Sequence, residues 1–189
     1  MKQKKSITKR LIIGIGIAAA VLLVVALVLQ YTVFAPNRSA KNATNQTFDA
    51  VYNCRFEDFI ESTIYNPDCM LYLGLSLTNE LYGEVQPYFE ETAAYLKEND
   101  LHFKRKSTII EEYGPDDEGF KRGIELLHKE YPAAYDGKIE KVARAEIKFT
   151  WSGRDENGKK EGGDDIDVSW SICINGKWYV MPNVDESLE

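Results

Sequence analysis

Ser171-Ile172-Cys173-Ile174-Asn175-Gly176-Lys177-Trp178-Tyr179-Val180 is the stretch that decides the fold. Asn-Gly is the dipeptide that two-residue hairpin turns select, because both central residues take positive φ. The turn sets Cys173 opposite Trp178, Ile172 opposite Tyr179 and Ser171 opposite Val180, which makes 177–181 a returning strand. Upstream, Ile166, Val168, Trp170, Ile172 and Ile174 alternate with Asp167, Ser169, Ser171 and Cys173, the period of a strand with one face in a core. A polar loop at 153–164 precedes it. Before that loop, Ala143, Ala145, Ile147, Phe149 and Trp151 alternate with Arg144, Glu146, Lys148 and Thr150. Three antiparallel strands therefore close the domain, and 183–189 reads as an exposed tail.

Working outward, Phe120, Ile124, Leu127 and Tyr131 repeat at helical spacing behind Gly114-Pro115-Asp116-Asp117-Glu118. Proline and acids in a first turn suit a helix N-terminus and its dipole, so this acidic cluster is accounted for without a metal. Residues 101–113, with Thr108, Ile109 and Ile110, read as a strand. A helical pattern over 77–98 carries Glu80, Glu84, Glu90, Glu91 and Lys97 on its outer face, and Pro87 is expected to bend or break it. Phe48, Val51, Tyr52, Phe56, Phe59 and Ile60 predict one amphipathic helix over 47–64, ended by Asn66-Pro67-Asp68.

The N-terminal quarter is of a different kind. Leu11 to Leu29 (LIIGIGIAAAVLLVVALVL) holds no charge, proline or polar side chain, and as a helix it spans about 28 Å, close to the hydrocarbon thickness of a bilayer. It is longer than the apolar region of a cleaved signal, and the only early alanine after it, Ala35, precedes Pro36, so an uncleaved signal anchor over 11–30 is expected. Lys2, Lys4, Lys5, Lys9 and Arg10 make 1–10 a basic cytoplasmic tail, which puts everything after Gln30 outside the plasma membrane. The bilayer is then the partner of 11–30. Gly14 with Ala18, and Gly16 with Ala20, have the spacing that lets two spans approach closely. Residues 31–46, polar and small, read as a flexible tether, and their three Asn-x-Ser/Thr triplets follow from that composition.

The net charge is −7, and setting aside the five cations of the first ten residues leaves −12 on the remainder. A domain so acidic, without a basic stripe, repels phosphate backbones, so nucleic acid is excluded as a partner. Its aromatic residues, most of the 11 Tyr, 8 Phe and 3 Trp, argue for a packed globule.

The order of two helices, a strand, a helix and a three-stranded meander resembles the nuclear transport factor 2-like, or cystatin-like, α+β fold over 47–182. The ending Asn175-Gly176-Lys177-Trp178-Tyr179 resembles the closing hairpin of many bacterial anchored members. The resemblance implies helices packed on a curved antiparallel sheet forming a cone. That superfamily includes enzymes, ligand binders, dimerisation modules and assembly proteins of conjugation and type IV secretion machinery, so it leaves function open.

The candidate chemistry is sparse. His102 and His128, the two histidines, lack any zinc spacing, and no catalytic constellation, metal site or cofactor site is expected. Asp155, Glu156, Glu161, Asp164, Asp165 and Asp167 concentrate acids near a hairpin, but Lys159 and Lys160 spoil an EF-hand register, and a solvated loop is expected. Trp151, Trp170 and Tyr179 are the candidates to line a small-molecule pocket. On the oxidising side of a membrane, Cys54 and Cys69 are the candidate disulfide, worth about 3 kcal/mol for that loop, with Cys173 able to pair with either. The leading expectation is a non-enzymatic interaction module that binds a protein partner or itself. The alternatives are a pocket-bearing binder or enzyme, and a secretion-apparatus component.

Overall fold

The computed structural model describes residues 36–75, 79–154 and 157–182. The predicted basic tail, span and C-terminal tail lie outside them, as do 31–35. No helix among the described residues is long and apolar enough to cross a membrane. The chain folds into helices α1 (Ala40–Tyr52), α2 (Phe56–Ser62), α3 (Pro67–Tyr72) and α4 (Asn79–Glu98), strand β1 (His102–Tyr113), helix α5 (Glu118–Glu130), and strands β2 (Ile139–Arg154), β3 (Lys160–Ile174) and β4 (Lys177–Met181). This is an α+β architecture built on one antiparallel sheet in the order β1-β2-β3-β4.

The closing hairpin has the predicted register, with Cys173, Ile172 and Ser171 facing Trp178, Tyr179 and Val180. Asn175 and Gly176 take φ of 52° and 69°, the paired positive values a type I′ turn demands. The polar loop expected at 153–164 is shorter, because β2 runs to Arg154 and β3 begins at Lys160. Trp151 pairs with Gly163, whose missing side chain leaves room for the indole across the strands.

Four expectations about the helical segments need correction. The single helix over 47–64 is two, divided at Asn53–Arg55, where Cys54 adopts φ of 52° and the Arg55 amide bonds to the Ala50 carbonyl. Asn66-Pro67 does not merely end a helix. The Asn66 side chain accepts from the Asp68 and Cys69 amides, and Pro67 occupies the first turn, so the pair starts α3. Residues 36–46 are not a tether. A 3-10 turn at Pro36–Arg38 leads to Ser39, whose hydroxyl accepts from the Asn42 amide and caps α1. Ala40, Ala43, Thr44, Thr47 and Phe48 then form one buried face at helical spacing. Pro87 neither ends nor splits α4. The carbonyl its ring approaches belongs to Gly83, which is exposed and meets nothing within 4 Å of a built Cβ.

Both sheet faces are covered around the β2–β3–β4 end. On the first face, α5 and the segments between α2 and α4 enclose Val142, Trp170, Ile172, Ile174 and Tyr179 with Ile64, Leu73, Leu126 and Leu127. Gly123 of α5 lies so close that a Cβ there would run into Val142 and press on the Trp170 ring, which stacks on Tyr113. On the second face lies α1, which touches all four strands. Ala40 and Ala43 pack on Ala143, Cys173, Trp178 and Val180, and Phe48 packs on Ile147 and Phe149. Cys173 and Ser171 are therefore buried, although their alternation with isoleucine and tryptophan pointed to solvent. At the opposite end of β3 the reverse holds, and Ile166 is 54% exposed.

Candidate functional site

Among the described residues, buried hydroxyls without a hydrogen-bond partner gather on the second face of the sheet. Small residues along α1 bring its backbone close to the sheet, and six hydroxyls converge in the contact: Thr44, Thr47, Ser62, Thr63, Ser169 and Ser171. Thr47 donates to Ser62 at 2.8 Å, and the Ser62 hydroxyl donates in turn to the Asp58 carbonyl. The other four make no hydrogen bond, and Thr44, Thr63 and Ser171 are at most 1% exposed. An unsatisfied buried hydroxyl costs about 1–3 kcal/mol, so this arrangement is expensive unless a polar guest completes it.

A cavity of about 80 Å³ adjoins these groups. Thr44, Thr47 and Ser169 give it a hydroxyl lining, Phe48 and Tyr52 give it aromatic walls, and the Asp167 carboxyl lies at its rim. Tyr52 is fixed by stacking on Phe103 with ring centres 4.0 Å apart. The end of α1 is held to β1 by Thr108 donating to Asn45 at 2.6 Å and by Arg105 pairing with Asp49 at 3.0 Å. These fastenings make the cavity a preformed feature of the helix–sheet contact.

The local field is negative. Partial desolvation holds the Asp167 carboxyl above the usual aspartate range, with Asp165 adding repulsion and the Val168 amide opposing it. Burial, together with Asp167 and Asp165, pushes the Tyr52 phenol up to about 12. Because the folded value of Asp167 is raised, ionising it costs stability, and stability returns as pH falls through that value. Asp167→Asn is therefore expected to raise the thermal midpoint at neutral pH. In a pH series the gain should fade in acid, where the native carboxyl is itself neutral. A gain independent of pH would show that charge is not its source.

The sheet separates the predicted pocket residues. Trp151 packs with Phe48, Ile147 and Phe149 on the α1 face, whereas Trp170 and Tyr179 lie in the core beneath α5, so the three share no cavity. Tyr179 is 1% exposed. Cys54, Cys69 and Cys173 are free thiols, so the expected Cys54–Cys69 bridge is absent from the structure. Cys69 belongs to the main core and Cys173 to the cluster under α1. Burial raises all three thiols, Cys173 to about 11 and Cys69 further still. Iodoacetamide is therefore expected to label Cys54 first in the native protein, and all three only after denaturation without reductant. A peptide map retaining a non-reduced Cys54–Cys69 pair would contradict this.

His102 bonds to Asp100 at 3.1 Å on the surface, and His128 lies 3.7 Å from Asp136, so neither adjoins the cavity. The acids expected in one loop are spread along β3, where Asp164 pairs with Lys106 at 2.7 Å and Asp167 faces α1, while Asp155 and Glu156 lie outside the described residues. Among the described residues no three acids, histidines or cysteines are grouped to hold a metal. Asn37, one of the triplet asparagines, is buried and donates to the Glu61 carbonyl at 2.7 Å. The site residues missed by sequence reasoning are Thr44, Ser169 and Asp167 acting together, and the one available signal was the run of small and hydroxylic residues at helical spacing after Ser39. No protein-family model matches the chain, and no curated protein matches it.

Proposed function

We propose that this chain is a single-pass protein of the plasma membrane that displays a nuclear transport factor 2-like domain outside as a non-enzymatic interaction module. Residues 11–29 supply the span, the five cations of 1–10 set its orientation, and the meander with helices on both faces suits the fold. The observation that carries the reading is how the sheet is filled. Val142, Ala143, Ala145 and Ile172 have no exposed surface, so side chains occupy both faces where a conical enzyme would keep a substrate chamber. The 80 Å³ beneath α1 is well under the roughly 300–1,000 Å³ of ordinary ligand pockets.

The −12 charge outside the basic tail favours a cationic partner. Affinity capture of the full chain from solubilised membranes should recover a stoichiometric protein partner that dissociates as salt rises. Failure to recover one, together with turnover of a small molecule by the purified chain, would overturn the proposal.

A further inference from the structure

We infer that the slot beneath α1 is a binding site for a primary ammonium group, held by the Thr44 and Ser169 hydroxyls and the Asp167 carboxylate. The inference does not depend on the anchoring or the fold family proposed above.

The slot has the three properties that such a guest requires. First, it has vacant acceptors. Thr44 Oγ1 and Ser169 Oγ are buried, line the space and have no hydrogen-bond partner, while a primary ammonium brings three donors in a compact head. Second, the field has the right sign. Asp167 stands at the rim with Asp165 near it, no cationic side chain is among the lining residues described, and Arg105, which reaches α1 from β1, is paired with Asp49 at 3.0 Å. Third, the walls suit a cation with a short apolar stem, since Phe48 and Tyr52 present rings and Val51, Ile147 and Val180 present aliphatic groups.

Size narrows the class. A space of about 80 Å³ admits an ammonium head with a few carbons but not a bulky quaternary amine. Water alone would fill the space and satisfy the hydroxyls, but it would bring no counter-charge to the Asp167 carboxylate.

The shared chemistry, a terminal –CH2–NH3+, belongs both to free short amines and to the lysine of a partner chain. Isothermal titration of the full chain in nanodiscs distinguishes them at constant ionic strength. Ethylammonium should bind saturably in the millimolar range, the limit for so few atoms, whereas ethanol and potassium ion should not. Asp167→Asn and Thr44→Val should each weaken ethylammonium by about tenfold or more, as expected for loss of a charge-assisted or buried hydrogen bond. Asp164→Asn, on the opposite face of β3, should leave binding unchanged. Competition by Nα-acetyl-lysine amide would assign the site to a lysine side chain, and binding of ethylammonium without it would assign the site to free amines. The inference is overturned by any of three results: no saturable heat with ethylammonium, an equal isotherm with potassium, or unchanged binding in a folded Asp167→Asn protein.

Discussion

Trp170→Ala is expected to destabilise the folded domain by about 3–5 kcal/mol, enough to leave many domains of this size largely unfolded. Trp170 lies on β3 at 3% exposure, stacks on Tyr113 with ring centres 6.2 Å apart, and receives α5 through the close approach at Gly123. Truncation removes the surface on which that helix rests and leaves a cavity that a sheet bonded on both sides cannot collapse to fill. Trp151→Ala, on the other face and half-buried, should cost clearly less. Pulse proteolysis of the full chain across a urea gradient reads both midpoints. Equal losses would mean that the two tryptophans are not divided between a deep core and a shallower one.

Ala43→Asp is expected to have an effect of similar size, about 3–5 kcal/mol, because it places an unpaired carboxylate in a dry contact. Ala43 has no exposed surface and packs with Ala143, Cys173, Trp178 and Val180. The neighbouring Asn42→Asp changes an exposed side chain in the first turn, where the helix dipole favours negative charge, and should stay within about 0.5 kcal/mol of the parent. The same urea series separates them. A flexible tether would tolerate both, so a silent Ala43→Asp would restore the tether reading for residues 36–46.

What the sequence made legible was what strong local signals encode. Asn175-Gly176 between period-two apolar runs specified a turn type, a register and two strands at once, α5 followed from its helical spacing, and β1 from strand-like content alone. The start of α1 was hidden because its buried face is built from Ala40, Ala43 and Thr44, which resemble a linker in composition. They pack closely only because Ala143, Ala145 and Ser171 opposite are equally small. The same contact reversed the expected exposure of Ser171 and Cys173, since a strand covered on both faces loses its alternation. The hydroxyl-lined slot was illegible for a different reason. Thr44 and Ser169 are far apart in the chain, and nothing in either local sequence states that a helix will lay one upon the other.

Protease accessibility in spheroplasts carrying the full chain addresses most directly whether 11–29 is an anchor that holds the domain outside. Added protease should digest residues 36–182 without lysis, and alkaline carbonate should leave the undigested chain in the membrane fraction. Release of the chain by carbonate, or protection of the domain until the spheroplasts are lysed, would contradict the anchored, outward-facing arrangement.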